Sequence, residues 1–211
     1  MDFDVVDIVF PLKGGASLPA AYSYALYAAI AKQLPWIHES KRVGIFPLNG
    51  VYADGRIRLG PRSALRIRAP ADHLPRIIML TARQLEVEGE GIQLGVPRVL
   101  PLRPAPTLYS RFVQIKLADK ADGVTPSAFL DTVHRQLRSL GIEARAGIPV
   151  WQEGPRAGEP KRRMVQIKGE HHIGFALLVE GLTAEESLRL QQHGLGGRRK
   201  MGCGLFLPAR W

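Results

Sequence analysis

The sequence contains six histidines whose side chains could transfer protons near neutral pH: His38, His73, His134, His171, His172 and His193. His38 is the first candidate for a catalytic base. It follows the first predicted helix in a loop that continues to Lys41 and Arg42, and such loops commonly present catalytic groups. The alternative is a structural histidine that binds a loop carbonyl or pairs with Glu39. We favour the catalytic interpretation.

Two further side chains near His38 could assist it. Tyr24 lies on the predicted helix 20–34, away from its apolar face, so its phenol could orient a reacting group. Packing is the commoner role of such a tyrosine, and Tyr22 or Tyr27 could take its place. Lys41 could stabilise negative charge in a transition state, or it could be an ordinary solvated lysine.

The other histidines do not indicate a metal site. His171 and His172 are adjacent and would point to opposite faces of a strand, and the sequence has no HExxH pattern and only one cysteine, Cys203. His134 and His193 lie on predicted helix surfaces. We therefore predict neither a metal nor a cofactor.

A glycine-rich segment near the C-terminus, GLGGRRKMGCG, could bind phosphate. Between Gly194 and Gly204 it places five glycines around three consecutive cations. Successive amides in such a loop can form an anion-binding concavity, whereas the Gly-Lys-Ser/Thr ending of a nucleotide P-loop is missing. A helix cap followed by a tight turn would need neither five glycines nor three cations. We predict that its phosphate contacts come from Gly194, Gly196, Gly197, Arg198, Arg199, Lys200, Gly202 and Gly204.

Two other basic clusters could contact a polyanion. The first alternates arginine with aliphatic residues in two short strands and would form a cationic strip on one sheet face: Arg56, Arg58, Arg66 and Arg68. The second ends a Gly/Pro-rich hairpin loop: Lys161, Arg162 and Arg163. The alternatives are an ordinary solvated sheet face and a disordered connection.

The overall charge also favours a polyanionic partner. The formal net charge is +10 and the pI is about 10.2, and residues 1–104 and 105–211 are both basic. Lysine and arginine gain affinity by displacing counterions from phosphates. Because arginine far outnumbers lysine, an arginine-preferring genome would explain the composition equally well.

The location is expected to be cytoplasmic and away from membranes. A single cysteine excludes an intrachain disulfide and suits a reducing compartment. The acidic N-terminal segment is not a secretory signal, and no apolar run approaches the ~20 residues that cross a bilayer.

Each half of the chain is predicted to have the order strand-helix-strand-strand-helix-strand. This pattern indicates an α+β fold of two tandem ferredoxin-like domains, at 1–100 and 105–211, joined by a proline-rich linker at 97–106. The predicted elements of the first half are strands at 3–12, 44–51, 56–59 and 65–68, helices at 20–34 and 72–84, and a hairpin at 85–96. Those of the second half are strands at 108–117, 148–152, 164–168, 173–179 and 205–207, and helices at 126–140 and 183–193.

The motif HGLGGRRKMGCGLF at 193–206, placed before a final strand, resembles the glycine-rich motif of CRISPR-associated repeat-processing endoribonucleases of the RAMP superfamily. The segments 23–39 and 181–204 resemble one subtype of these enzymes, and the resemblance extends over essentially the whole chain. It implies tandem ferredoxin-like domains, recognition of the hairpin in a CRISPR repeat RNA, and one cut at the 3′ base of that hairpin. It also implies a general-base histidine in or just after the first helix, which agrees with His38.

RNA cleavage of this kind needs no metal. The 2′-OH attacks the adjacent phosphate, and a base, an acid and nearby cations suffice to assist it. The expected products are a 2′,3′-cyclic phosphate (or 3′-phosphate) and a 5′-OH, and the enzyme could then stay on its product within a CRISPR effector complex.

Two other functions remain open from the sequence. The first is a catalytically inactive RNA-binding subunit of a CRISPR ribonucleoprotein complex, which would bind a repeat hairpin without cutting it. The second is a ferredoxin-like interaction domain without RNA affinity, which would show no salt-sensitive hairpin binding.

Overall fold

The computed structural model describes residues 4–115, 124–167 and 170–209. The α-helices are α1 Ser23–Gln33, α2 Leu74–Ile77, α3 Pro126–Ser139 and α4 Ala184–His193. Short 3-10 helices occupy Pro35–His38, Ala71–His73, Ile78–Leu80 and Arg199–Met201. The strands of the first half are β1 Val5–Lys13, β2 Ser17–Pro19, β3 Gly44–Ile45, β4 Val51–Ala53, β5 Arg56–Arg58, β6 Ala64–Pro70, β7 Gln84–Val87, β8 Glu90–Leu94 and β9 Arg98–Pro101. Those of the second half are β10 Thr107–Val113, β11 Arg145–Gly147, β12 Arg162–Ile167, β13 Glu170–Glu180 and β14 Leu207–Pro208.

The first half forms an antiparallel sheet around β1. β6 pairs with β1 in register from Val5↔Pro70 to Pro11↔Ala64, and β3 pairs with the outer edge of β6. On its other side β1 pairs with β8 and β9, so the order is the one expected for a ferredoxin-like sheet. Apolar residues of β1, β6 and α1 pack in one buried cluster that includes Ile8, Ile30 and Ile67.

The second half repeats this arrangement around β10. β13 and β14 flank β10, and β11 and β12 both pair with β13 along different parts of its length. α3 begins with Thr125 as N-cap and Pro126 in its first turn, and α4 begins with the capping box Thr183–Glu186, in agreement with the predicted helices 126–140 and 183–193. Phe129 and Phe175 belong to a second buried cluster. The predicted strands 108–117 and 164–168 extend into residues outside the described ranges.

Several elements differ from the predictions. The predicted helix 20–34 begins only at Ser23. Residues 17–19 before it form an unpredicted strand, which pairs with β5 in a separate three-stranded sheet that also contains β4. The predicted helix 72–84 is a series of short helical turns that ends at Leu80. The predicted linker 97–106 is partly a strand, because Arg98–Pro101 pairs with β1. The domain boundaries at 100 and 105 stay a prediction.

The predicted four-arginine strip is wrong, because Arg56 and Arg58 belong to the small sheet, whereas Arg66 and Arg68 belong to the large one. Arg68 is also fully buried. Its guanidinium binds both carboxylate oxygens of Asp7, at 2.7 and 2.9 Å, and donates to the carbonyls of Gln191 and Phe206 in the second half. Arg68 therefore joins the two halves and cannot reach RNA.

Among the described residues, no helix is long and apolar enough to cross a membrane.

Candidate ribonuclease site

Helix α1 and the 3-10 helix that follows it place a histidine and two tyrosines together. Pro35 ends α1, because proline has no N–H to continue the helical hydrogen bonds and occupies the first turn of the 3-10 helix Pro35–His38. The chain reverses there, and His38 returns to the side of α1 that carries Tyr27. Their rings meet edge to face with centroids 5.5 Å apart.

His38 is exposed, and its Nδ1 lies 2.6 Å from the Tyr27 hydroxyl. Nε2 is therefore the ring nitrogen left to meet a ligand. Partial burial, followed by the neighbouring Tyr24, raises the pKa of Tyr27, so this phenol stays neutral at physiological pH. The pair can hold the imidazole in one orientation while Nε2 exchanges a proton.

Tyr24 lies beside this pair, with its ring centroid 6.3 Å from that of Tyr27. Tyr27 was expected only as an alternative to Tyr24, and its contact with His38 was not predicted. Tyr27 is only partly buried, so its ring packs on the core while its hydroxyl reaches the surface. Tyr22, the other alternative, is buried, and its hydroxyl accepts from the Leu48 N–H at 2.8 Å.

Lys41 is exposed in the turn that connects the 3-10 helix to β3. Its neighbour Arg42 binds Asp4 at 3.0 Å. Lys41 lies three residues after His38 in the sequence. Its role in stabilising the charge of a phosphate stays a prediction.

The glycine-rich loop has a backbone that requires its glycines. Gly194, Gly196, Gly202 and Gly204 all have positive φ. A Cβ on Gly204 would lie 1.9 Å from the Leu195 carbonyl oxygen, and a Cβ on Gly196 would lie 2.2 Å from that of Gln114. Side chains at these positions are therefore excluded by both conformation and space.

The five glycine amides of this loop are not available to form the predicted anion-binding concavity. Those of Gly194, Gly197, Gly202 and Gly204 donate to main-chain carbonyls, and that of Gly196 donates to the Gln136 side chain. Because these five N–H groups are used within the protein, the glycines serve the packing of the loop, and their predicted amide contacts with phosphate are wrong.

The three cations of the loop have different environments. Arg198 is exposed to solvent. Its backbone is in the left-handed region, with a φ of 61°. Arg199 donates to the His193 carbonyl. Burial, then the charges of Arg68 and Arg42, lowers the pKa of Arg199 to about 10. A phosphate contact by Arg199 stays a prediction.

Lys200 reaches across to the first half of the chain. Its Nζ donates to the carbonyls of Ile37 and His38, at 2.7 and 2.8 Å, and lies 5.9 Å from the centre of the Tyr27 ring. The glycine-rich loop and the catalytic candidate, which are far apart in sequence, therefore form one site.

The loop before β12 and the start of that strand gather cations around an aromatic ring. Arg156, Lys161 and Arg163 lie 5.7, 5.6 and 4.9 Å from the centre of the Trp151 ring. β-Bridges from Val150 and Trp151 hold this loop in place. Burial, followed by the charge of Arg111, lowers the pKa of Arg163, whereas Arg162 is exposed.

Known proteins match this chain along almost all its length. The family model described as Cas6 Crispr matches residues 6–211. The CRISPR-associated endonuclease Cas6 of Myxococcus xanthus (strain DK1622) is 37% identical over 203 residues, which cover 96% of this chain and 81% of the relative.

Solved structures have the same fold. A Cas6-related protein from Pyrococcus furiosus aligns with a TM-score of 0.67 at 14% identity, covering 96% of both chains. A CRISPR-associated protein Cas6 aligns with a TM-score of 0.65 at 12% identity, covering 98% of this chain and 99% of that one. The predicted fold of two tandem ferredoxin-like domains is thereby confirmed. With nearly its whole length matched by the family model and a curated endonuclease 37% identical, this chain belongs to the Cas6 family of CRISPR-associated proteins.

Proposed function

We propose that this protein is a metal-independent endoribonuclease that cuts CRISPR precursor RNA within each repeat, at the 3′ base of the hairpin, to give guide RNAs. The observation that carries the proposal is the exposed His38, bound through Nδ1 to Tyr27 at 2.6 Å and adjoined by Lys200 from the glycine-rich loop. Family membership supports the reaction class.

His38 is proposed as the general base. When Nδ1 carries a proton and donates it to the Tyr27 hydroxyl oxygen, the lone pair of Nε2 is free to accept the proton of the ribose 2′-OH. The 2′-oxygen then forms a bond to phosphorus, and the bond from phosphorus to the 5′-oxygen breaks. Tyr27 can accept the same hydrogen bond before and after proton transfer, so the ring need not turn.

The remaining roles fall to Tyr24 and Lys41. A phenol donates a hydrogen bond that can orient the phosphate, and an ammonium can stabilise the negative charge that gathers on phosphorus-bound oxygens. The leaving 5′-oxygen takes a proton from a general acid or from water. The products are a 2′,3′-cyclic phosphate and a 5′-OH.

RNA affinity is proposed to come from exposed cations on both halves, because a hairpin stem offers proteins mainly its shape and its phosphates. Arg198 lies in the loop beside the site, Arg58 lies on the small sheet and Arg162 lies on β12. We propose that the N-terminal domain carries the catalytic histidine and that the C-terminal domain carries the glycine-rich loop, so both domains would contact the hairpin. We also propose that the protein acts in the cytoplasm.

Cleavage of a repeat hairpin in EDTA tests this function. The wild-type protein should produce two fragments with the termini given above, and His38→Ala should cut about 10²- to 10⁴-fold more slowly while still binding the hairpin. His134→Ala, on α3, is the matched control and should cut at the wild-type rate.

Hairpin that is bound but uncut by the wild-type protein would identify an RNA-binding subunit instead. An unchanged rate for His38→Ala would remove only the assignment of the base.

A further inference from the structure

Lys200 of the glycine-rich loop contacts His38, and its hydrogen bonds are made with main-chain carbonyls. Two of the three donors of an ammonium group point at the carbonyls of Ile37 and His38. These are the last carbonyls of the 3-10 helix Pro35–His38, and carbonyls at a helix end lack partners within the helix. Lys200 therefore caps the short helix that carries the proposed base.

Arg198, two residues earlier, has the opposite environment. Its side chain is exposed, whereas Lys200 is partly buried, and burial lowers the pKa of Lys200. The two carbonyl oxygens leave a phosphate at most one donor of the Lys200 ammonium, whereas the exposed Arg198 can meet a phosphate in solvent. The loop thus contains one cation that is accessible to RNA, Arg198, and one that binds main-chain carbonyls of the protein, Lys200.

We infer that Lys200 is a positioning residue, which fixes the helix Pro35–His38 against α1 so that His38 stays in contact with Tyr27, and that it is not a phosphate ligand. This inference rests on the proposed function, because it assigns the positioned group to catalysis.

The loop geometry explains how Lys200 reaches its place. Gly204 donates to the Phe112 carbonyl of β10 at 2.8 Å, which ties the loop to the second half. Gly202 has a φ of 81°, and a Cβ there would lie 2.8 Å from Pro47 of the first half. Lys200 lies between these two glycines and the exposed Arg198, so its reach to His38 depends on how the two halves are seated together.

Two variants separate positioning from phosphate binding. Lys200→Met keeps an unbranched side chain but loses all donors, and we expect the single-turnover cleavage rate at saturating hairpin to fall about 10- to 100-fold. The Kd for the hairpin and its salt dependence should stay within about 2-fold of wild type. Lys200→Arg, which restores donors, should recover part of the rate.

Arg198→Asn is the matched comparison, because asparagine tolerates the left-handed backbone of this position. It should raise the Kd and reduce the slope of log K against log salt by about one. If Lys200→Met instead shows this binding pattern with an unchanged cleavage rate, Lys200 is a phosphate ligand and the inference is overturned.

Side-chain NMR of His38 tests the positioning role without measuring cleavage. Two Lys200 variants are used so that the test still stands if one of them fails to fold. In Lys200→Met and Lys200→Gln, loss of the cap should change the chemical shifts of the His38 ring, whereas Arg198→Asn should leave them close to wild type. Unchanged His38 signals in a folded Lys200 variant would overturn the positioning role. If the wild-type protein does not cut RNA but the signals still move, the proposed function fails while the structural link stands.

Discussion

Two neighbouring segments of the first half, Arg56-Ile57-Arg58-Leu59 and Leu65-Arg66-Ile67-Arg68, have the same alternation of arginine and aliphatic residues but opposite surroundings. In β5 the aliphatic Ile57 is buried and both arginines are exposed. In β6 the arginine side is also covered, and Arg68 is as inaccessible as Ile67. Alternation of residue types therefore identifies the two faces of a strand but does not say what covers each face.

The covering of β6 comes from distant parts of the chain. Asp7 on the adjacent β1 supplies the countercharge, and two main-chain carbonyls of the second half accept hydrogen bonds from Nη1. A buried guanidinium is tolerated only when its charge and its donors are matched in this way. β5 has no such cover: Arg56 binds Ser17 of the adjacent β2 at the surface, and both of its arginines stay exposed.

The largest effect is expected for Arg68→Met. This change leaves the Asp7 carboxylate buried without its main countercharge and two carbonyls without their donor, so the free energy of unfolding should fall by about 3–5 kcal/mol. Urea denaturation followed by circular dichroism measures it. A loss below about 1 kcal/mol would mean that the buried contact contributes little, and the contrast between β5 and β6 would then be one of exposure only.

Arg66→Ala should give an intermediate effect. Arg66 contacts the same Asp7 carboxylate at 3.3 Å and lies over the Phe46 ring at 5.6 Å, but its side chain is 28% exposed. Water screens part of this interaction, so we expect a loss of about 1 kcal/mol in the same denaturation experiment. A loss as large as that of Arg68→Met would place both arginines in one buried network.

Arg58→Ala should have the smallest effect on stability, within about 0.5 kcal/mol, because the side chain is exposed. Its effect should instead appear in hairpin binding, as a lower salt dependence of Kd by about one phosphate contact. If binding and its salt dependence are both unchanged, the small sheet does not contact RNA, and β5 differs from β6 in burial but not in function.

Much of the fold followed from local patterns, and the parts that did not depend on remote contacts. The helices α3 and α4 carry capping residues that mark where they begin, and the hairpin β7–β8 turns at Gly89 as its sequence indicates. Ser17–Pro19 is too short to show periodicity, and it is a strand only because β5 lies beside it. Arg98–Pro101 contains proline, which suited a linker but is equally suited to an edge strand.

The parts of the site could also be predicted from the sequence, but the contacts between them could not. A histidine after the first helix and a cationic glycine-rich loop were both visible in the sequence. Their meeting was not, because the contact between His38 and Lys200 spans 162 residues. The role of Tyr27 was hidden for a related reason: its ring belongs to the core, and only the reversal of the chain at Pro35 brings the hydroxyl to His38.

The buried Arg68 also has a consequence for the order of folding during synthesis. One of its acceptors, the Phe206 carbonyl, is 138 residues further along the chain. When β1 and β6 leave the ribosome, their arginine and aspartate still face water, and the surface around them stays polar until the last strands arrive. We therefore expect the first sheet to reach its final packing only when the segments that carry Gln191 and Phe206 have docked on it.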